Sequence, residues 1–279
     1  MKKLLTNKIA ENFLIGIILL FNARNWVFRF VPSNTYYKSG SIRSVKRRGI
    51  QYQLDLSDYQ EWLVYFYCKS DSSDHLLNYL EQSETIFDIG ANIGQTALNM
   101  LKTQKSKGLN ATIYAFEPYP KTFYKLETNI ALNKSDHIQA FNLGLSTEKG
   151  MLYMAQHSPY NSGGFRMMEK STNAISVPVI SLDEFVYENY ITHIDFIKID
   201  VEGFEIQVIE GARKTLETFK PILVFEYSLE NIKAQNGDIQ KLFNQLLEMK
   251  YRIQTKEGIT NLEVIRELDY QTDLICFPN

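Results

Sequence analysis

The stretch Thr85–Thr96, TIFDIGANIGQT, constrains the fold most, because it joins an apolar segment to a turn that contains two glycines. The segment Thr85–Ile89 predicts a buried strand with one acid, Asp88, near its end. Gly90 and Gly94 let the backbone turn tightly and let a ligand approach without meeting a Cβ. A helix that starts at this turn points its free N–H groups at whatever lies above the strand. We therefore expect a ligand site at the end of this strand.

The spacing of the two glycines separates two classes of nucleotide-type ligand. A dinucleotide site requires G-x-G-x-x-G, whose middle glycine admits the pyrophosphate. Here three residues separate Gly90 from Gly94, and Asn92 stands where that middle glycine would be. The order D-x-G-x-N-x-G instead resembles the first motif of class I S-adenosylmethionine-dependent methyltransferases. The alternative is a glycine-containing strand–turn–helix connection that binds nothing.

Composition favours a globular protein with no nucleic-acid partner. The 279 residues carry a net charge of −2, with 44% apolar and 22% charged residues, which gives no overall attraction to phosphates. The two cysteines, Cys68 and Cys276, are too few for a disulfide framework and suit a reducing compartment. We expect a cytoplasmic location, with membrane association left open by the first segment of the chain.

Residues 1–50 are predicted to form an N-terminal extension, followed by the main domain over residues 51–279. The apolar run Phe13–Phe21 is too short to span a bilayer as a helix. Three alternatives remain for residues 1–30: a helix docked on the body, peripheral membrane contact, or a secretory signal. The basic stretch Arg43–Arg48 is either a solvated loop or a docking patch for an acidic glycan or lipid headgroup. We expect a short strand or hairpin after it, then a helix over Asp74–Gln82.

Beyond Thr85, strands alternate with helices, which predicts a doubly wound, mostly parallel α/β sheet. The ligand is then expected beyond the carboxyl ends of the strands, where the strand order reverses. The predicted strands are Thr85–Ile89, Ala111–Phe116, His137–Asn142, Ile194–Asp200, Pro221–Glu226, Tyr251–Thr255 and Asp273–Phe277. The predicted helices are Thr96–Lys105, Pro120–Asn133, Phe204–Phe219 and Ile239–Lys250.

The region Gly150–Pro178 lacks a helical period and breaks this alternation. Met151–Ala155 and Ser176–Ile180 predict two extra strands, joined by a loop over Gln156–Lys170. A loop of this length is more often functional than idle, so we expect it to cover the acceptor; the alternative is a disordered surface insertion. His157 in this loop is a candidate general base, although a single loop histidine is more often merely exposed.

Polar side chains at the ends of the second and third strands are candidate cofactor ligands. Glu117 ends the second strand, and its two carboxylate oxygens can accept both hydroxyls of an adenosine ribose. The alternative for Glu117 is a simple acid at a helix N-terminus. Asn142 and Gly144 lie at the end of the third strand, where they are expected to meet an adenine ring.

The stretch Asp195–Glu210, DFIKIDVEGFEIQVIE, brings charge into a buried strand. A buried Lys198 needs a carboxylate partner, and Asp200 lies two residues on, on the same face of the strand. Glu202 follows, and Glu226 ends the next strand, so these acids are expected to converge at the mouth of the site. The alternative makes Asp200 the cap of the following helix, with Glu202 stabilised by the helix dipole.

The motifs FDIGANIG, AFEP, SLDEF, FIKIDVEGFEIQVIEGA and PILVFE occur in this order. Together they resemble the FkbM-type methyltransferases, a class I S-adenosylmethionine-dependent family, over roughly Gln51–Phe277. The resemblance implies a Rossmann-like sheet of seven strands, S-adenosylmethionine as cofactor, and methylation of a hydroxyl on a sugar, glycolipid or polyketide-type acceptor. The candidate cofactor-binding residues are Asp88, Gly90, Ala91, Asn92, Gly94, Glu117, Asn142 and Gly144. The candidate catalytic residues are Lys198, Asp200, Glu202, Glu226 and His157.

Methylation of a hydroxyl requires either a general base or a metal that lowers the pKa of the acceptor. Asp200 and Glu226 occupy strand ends that hold metal ligands in catechol-type O-methyltransferases, so Mg²⁺ or Mn²⁺ is a further expectation. Two rival functions remain, a nicotinamide-dependent oxidoreductase and a non-catalytic scaffold that binds the cofactor on the same fold. Affinity for S-adenosylmethionine and methyl transfer discriminate among the three.

Overall fold

The computed structural model describes residues 5–21, 29–66, 74–80, 83–156, 165–168, 174–235 and 237–279. The described chain forms two compact units, one reaching to Asp74 and the other beginning at His75. In these ranges, no helix has the length and apolar character needed to cross a membrane. Each unit is built around its own sheet.

The first unit consists of a helix, an antiparallel hairpin and a second helix. The predicted domain boundary at residue 50 falls inside this hairpin, where Arg47 pairs with Ile50. No helix was predicted in the stretch Asp58–Tyr67, but residues Tyr59–Phe66 are helical. The elements are α1 (Lys8–Phe21), β1 (Ile42–Arg47), β2 (Ile50–Asp55) and α2 (Tyr59–Phe66).

A buried ion pair fixes α1 to the hairpin. Glu11 is fully buried and accepts hydrogen bonds from Nε and Nη2 of Arg43, both at 2.8 Å. The Tyr65 hydroxyl donates to the same carboxylate at 3.2 Å. Because a bidentate guanidinium satisfies the carboxylate, burial of this charge is compensated.

The second unit contains a sheet of seven strands in the order β12-β13-β11-β10-β3-β4-β5. All neighbours in this sheet are parallel except β13, which runs antiparallel to both β11 and β12. The predicted doubly wound, mostly parallel sheet of seven strands is confirmed. The strands are β3 (Thr85–Ile89), β4 (Thr112–Phe116), β5 (Ile138–Phe141), β10 (Phe196–Ile199), β11 (Ile222–Tyr227), β12 (Tyr251–Thr255) and β13 (Thr272–Pro278).

Helices connect these strands, and an aromatic cluster lies in the core that they share. The Phe185 ring meets Phe116 and Phe141 edge-on, at centroid distances of 4.8 and 4.9 Å. Such pairs add packing energy beyond area burial. The helices are α3 (Gln95–Ser106), α4 (Pro120–Leu132), α5 (Leu182–Glu188), α6 (Glu205–Glu210), α7 (Arg213–Phe219), α8 (Leu229–Ala234), α9 (Ile239–Glu248) and α10 (Leu262–Arg266).

The single helix predicted over Phe204–Phe219 is wrong, because Gly211 and Ala212 separate α6 from α7. A Cβ at Gly211 would lie 1.9 Å from the carbonyl oxygen of Ser146. The Gly211 carbonyl also accepts a hydrogen bond from the Asp183 amide at 2.9 Å. The break therefore follows from contacts with residues distant in sequence.

A smaller sheet of four strands carries the region that broke the alternation. Its order is β6-β9-β7-β8, and the two predicted extra strands correspond to β7 and β9, which pair antiparallel. The prediction of a loop over Gln156–Lys170 is wrong in part, because β8 lies inside this range and pairs with β7. The remainder of that loop, residues 157–164 and 169–170, lies outside the described residues. The strands are β6 (Gly144–Leu145), β7 (Gly150–Gln156), β8 (Phe165–Met168) and β9 (Ile175–Ile180).

The sequence did not predict the short helices α5, α8 and α10. Helix α5 carries a recognisable signal, since its N-cap Ser181 accepts a hydrogen bond from the Glu184 amide at 3.1 Å in the S-x-x-E pattern. The helix predicted over Asp74–Gln82 is a 3₁₀ helix over Asp74–Tyr79, and residues 81–82 lie outside the described ranges.

Candidate active site

The turn after β3 is fastened to the end of β4. The amides of Gly90 and Ala91 both donate to the Phe116 carbonyl, at 3.0 and 2.9 Å. Gly94 is the N-cap of α3 and has φ +86°, and Asn92 also has positive φ, at +50°. The turn is therefore held rigidly before any ligand binds.

Gly90 is required by the approach of β10 as well as by the turn. Its φ is +79°, and a Cβ at this position would lie 1.8 Å from the carbonyl oxygen of Asp200. Only glycine combines this backbone conformation with such a close contact. The turn after β3 and the end of β10 are thus packed together at backbone distance.

Lys198 joins these two elements through charge. Its ammonium lies 3.3 Å from Oδ1 of Asp88 and 3.3 Å from Oδ2 of Asp200, and it donates to the Gly90 carbonyl at 3.1 Å. Burial lowers the pKa of Lys198, but the carboxylates of Asp200 and Asp88 outweigh burial and raise that pKa above its ordinary value. The predicted contact with Asp200 is confirmed. The contact with Asp88 follows from their register as cross-strand partners.

Glu117 stands at the end of β4 and faces the same turn. Its Oε2 accepts from the Asn92 amide at 3.1 Å, and its Oε1 accepts from the Tyr119 amide at 2.9 Å. Burial raises the pKa of Glu117 to about 7, although these two amides oppose the shift. Each carboxylate oxygen has a further lone pair, so a ribose hydroxyl can still be accepted.

One polar atom beside Glu117 lacks a partner. Among the described residues, Oδ1 of Asn92 is buried and accepts no hydrogen bond. A buried acceptor without a donor costs free energy, and a hydroxyl or ammonium group of a bound cofactor would satisfy it. The turn therefore fits a cofactor that carries ribose hydroxyls and an amine.

Asn142 and Gly144 take structural positions in the fold. The Asn142 amide donates to the carbonyls of Glu117 and Pro118, both at 2.9 Å, and so fixes the segment after β4. Gly144 begins β6 and pairs with Val179 of β9. Their predicted contacts with adenine stay predictions.

Four carboxylates gather beyond the ends of β10 and β11. Burial and the carboxylates of Asp200, Glu205 and Glu202 together raise the pKa of Glu226 to about 10. Gln271 donates to Oε1 of Glu226, whereas Oε2 is buried without a partner among the described residues. Burial and the neighbouring carboxylates therefore favour the protonated form of the Glu226 side chain.

Asp200 does not cap the following helix, which excludes the capping alternative. Helix α6 begins at Glu205, and its N-cap is Phe204, without a side-chain hydrogen bond. Glu202 lies in the turn at φ +55°, and its carboxylate accepts from the Asn231 side chain at 3.3 Å. The Asp200 side chain is 41% exposed, so an acceptor can reach it.

Sequence reasoning missed Glu205, which organises this turn. Glu205 is 1% exposed, and its Oε1 accepts from the amides of Val201 and Gly203, at 3.1 and 3.2 Å. Burial raises the pKa of Glu205 to about 7. The sequence signal was an acid in the first turn of a helix directly after a Gly-containing turn.

The residues do not fit the predicted Mg²⁺ or Mn²⁺ site. Within the described ranges, no three His, Cys, Asp or Glu side chains are arranged to hold a metal ion. Asp200 and Glu226 alone offer two carboxylates, fewer than the three side chains of such a group. His157 lies outside the described residues.

Comparisons with known proteins assign the chain to a family. Residues 88–253, more than half of the chain, match the model of the methyltransferase FkbM domain. The chain is 28% identical over 149 residues to the hexuronic acid methyltransferase AglP of Haloferax volcanii, covering 53% of this chain and 58% of that protein. It is 24% identical over 211 residues to the 2-O-methyltransferase NoeI of Sinorhizobium fredii, covering 68% and 83%.

A solved structure is also similar. The methyltransferase FkbM of Methylobacillus flagellatus matches with a TM-score of 0.48 and 19% identity, over 70% of this chain and 44% of that one. The match to the family model includes the turn after β3, Glu117 and the carboxylates beyond β10 and β11. The chain belongs to the FkbM methyltransferase family.

Proposed function

We propose that the chain transfers a methyl group from S-adenosylmethionine to a hydroxyl oxygen of a sugar or polyketide-type acceptor. One observation carries this proposal: four neighbouring strands end at one edge of the sheet with the residues that such a reaction needs. The turn after β3 and Glu117 follow two of these strands, and Asp200 and Glu226 lie at the ends of the other two. In α/β sheets, ligands bind beyond such carboxyl ends.

The donor would be held by the turn after β3 and by Glu117. Glu117 accepts the ribose hydroxyls, and Oδ1 of Asn92 accepts a further donor group of the cofactor. S-adenosylmethionine supplies an electrophilic methyl group on a sulfonium. The rigid turn fixes the bound donor relative to Asp200, which favours in-line geometry.

Asp200 is the proposed general base. When the oxygen–carbon bond forms and the sulfur–carbon bond breaks, the hydroxyl proton passes to the Asp200 carboxylate. Glu226 is a poorer candidate, because a pKa of about 10 leaves it protonated at neutral pH. The protonated carboxyl of Glu226 can instead donate a hydrogen bond that orients the acceptor.

The carboxylates beyond β10 and β11 favour a neutral acceptor. The name of the Haloferax relative, a hexuronic acid methyltransferase, supports a sugar acceptor, and the name of the Sinorhizobium relative, a 2-O-methyltransferase, supports methylation on oxygen. Here the carboxylates of Asp200, Glu202 and Glu205 disfavour an acceptor that brings a further anionic group close to them. We expect neutral hexosides to be methylated faster than matched hexuronides in an assay with a labelled methyl donor.

Calorimetry on Glu117→Gln tests the donor site. The amide removes the negative charge and one acceptor, so the Kd for S-adenosylmethionine should rise about 10- to 100-fold. Glu127→Gln, an exposed change on α4, is the matched control and should bind normally. Equal affinity in Glu117→Gln would refute the ribose assignment. Tight binding of the donor without labelling of any glycan would favour the non-catalytic scaffold.

A further inference from the structure

The outward face of α1 is apolar, although it is exposed. Ile9 and Phe13 are 85% and 69% exposed, and their spacing of four residues puts them on one face of the helix. The opposite face is buried through Leu14, Ile15 and Ile18. We propose that the Ile9–Phe13 face of α1 docks on an anionic lipid bilayer, with the helix lying in the plane of the surface.

The charge of this part of the chain matches an anionic surface. The first fifty residues carry one acid, Glu11, which is buried and bonded to Arg43. These fifty residues therefore have a formal charge of +9, and the whole first unit, to Asp74, has 11 basic and 6 acidic residues, or +5, whereas the whole chain has −2. Within this unit, Arg48 is paired with Asp74. Lys8, on α1 itself, is exposed. The basic residues of this segment are Lys2, Lys3, Lys8, Arg24, Arg29, Lys38, Arg43, Lys46, Arg47 and Arg48.

A bilayer fits this combination better than the other occupants of an apolar face. A second copy, docked through the same face, would bring two strongly positive segments together, which opposes association. Nucleic acid would be attracted by the positive charge, but its phosphates would gain nothing from the exposed apolar side chains of Ile9 and Phe13. At 14 residues, α1 is too short to span a bilayer but suits an interfacial helix.

Vesicle sedimentation of the full chain tests the proposal. We expect binding to vesicles of phosphatidylcholine with about 30% phosphatidylserine, and at least tenfold weaker binding to pure phosphatidylcholine. Phe13→Ser and Ile9→Ser should each lower the partition coefficient about tenfold, because each removes an inserted apolar side chain. Raising salt from about 50 to about 500 mM should also lower binding at least tenfold.

A control variant separates insertion from a general loss of surface apolarity. Tyr187 on α5 is 82% exposed, so Tyr187→Ser should bind the anionic vesicles as wild type does. Unchanged melting temperatures would establish that the variants are folded. Absence of vesicle binding, or binding unaffected by Phe13→Ser, would overturn the proposal. A dimer in light scattering that Phe13→Ser dissolves, without vesicle binding, would assign the face to a second copy.

Discussion

At the scale of single residues, the site separates two acids that the sequence had grouped together. Asp200 is partly exposed and contacts the ammonium of Lys198. Glu226 is largely buried and lies near other carboxylates. Burial and the neighbouring carboxylates raise the pKa of Glu226 to about 10, whereas the side chain of Asp200 is open to an acceptor. Asp200 is thereby suited to accept a proton and Glu226 to donate a hydrogen bond.

Asp200→Asn should lower kcat by about 100-fold or more, because the amide cannot take the acceptor's proton. Affinity for S-adenosylmethionine should change by less than about threefold, since Glu117 and the turn after β3 are untouched. Steady-state kinetics and calorimetry measure the two quantities. Asp136→Asn, at an exposed position, is the control. Normal turnover would leave Asp200 a structural role, and loss of wild-type activity in EDTA would revive the metal route.

Glu226→Gln should keep at least about a third of wild-type kcat near pH 7, because it replaces one neutral hydrogen-bonding group with another. The pKa of about 10 also predicts a difference at high pH. Wild-type activity should fall as pH rises through about 10 and Glu226 ionises, while the variant should lack this step. A pH–rate profile measures both. Inactivity of Glu226→Gln at pH 7 would instead make Glu226 the base.

Several contacts of the site could be predicted from the sequence, and others could not. The pairing of Lys198 with Asp200 follows from strand alternation alone. The pairing with Asp88 depends on the register of β10 against β3, which no local pattern reveals. Glu205 escaped because its partners, the amides of Val201 and Gly203, are backbone groups whose exposure depends on the turn.

At the scale of elements, prediction succeeded where the controlling interactions are local. The buried apolar strand β3 and the alternating strand β12 have the bounds predicted from the sequence. The interruption between α6 and α7 was missed, because it depends on the close packing of Gly211 against the backbone of Ser146, 65 residues earlier. Strand β8 was missed although it pairs with the preceding strand β7, because its four residues, FRMM, show no clear alternation of apolar and polar side chains.

Gly211→Ala should lower the free energy of unfolding by about 3 kcal/mol, since overpacking against backbone forces both segments to move. The φ of Gly211 is −75°, so the cost comes from the contact rather than from backbone strain. Gly150→Ala is the matched control, because a Cβ there meets nothing within 4 Å. Urea unfolding of both variants gives the comparison, and equal stability would mean that the Ser146 segment yields freely.

At the scale of the whole molecule, the two units carry different parts of the proposed function. The second unit contains the sheet and every described residue of the candidate active site. The first unit contains the positive segment and the apolar face of α1. A chain with this distribution of charge would concentrate the enzyme where an acceptor is attached to lipid.

Stability should depend on pH through the buried carboxyl of Glu205. Its pKa is about 7 when folded and near 4.5 when unfolded, so the folded state binds more protons between these values. The favourable contribution is therefore complete below pH 4.5 and is lost as pH rises through 7. Over that range, wild-type stability should fall by up to about 3 kcal/mol through this group.

Glu205→Gln isolates this contribution. Both hydrogen bonds of Glu205 end on one oxygen, so the side-chain oxygen of glutamine can accept from the amides of Val201 and Gly203 without adding charge. Urea unfolding at pH 5 and pH 8 should therefore show a smaller loss of stability in the variant than in wild type, by up to about 3 kcal/mol. Glu127→Gln, exposed on α4, should keep the wild-type dependence. If Glu205→Gln also keeps the wild-type pH dependence of stability, another group binds the proton. Glu117, whose pKa is also about 7, is then the group to test.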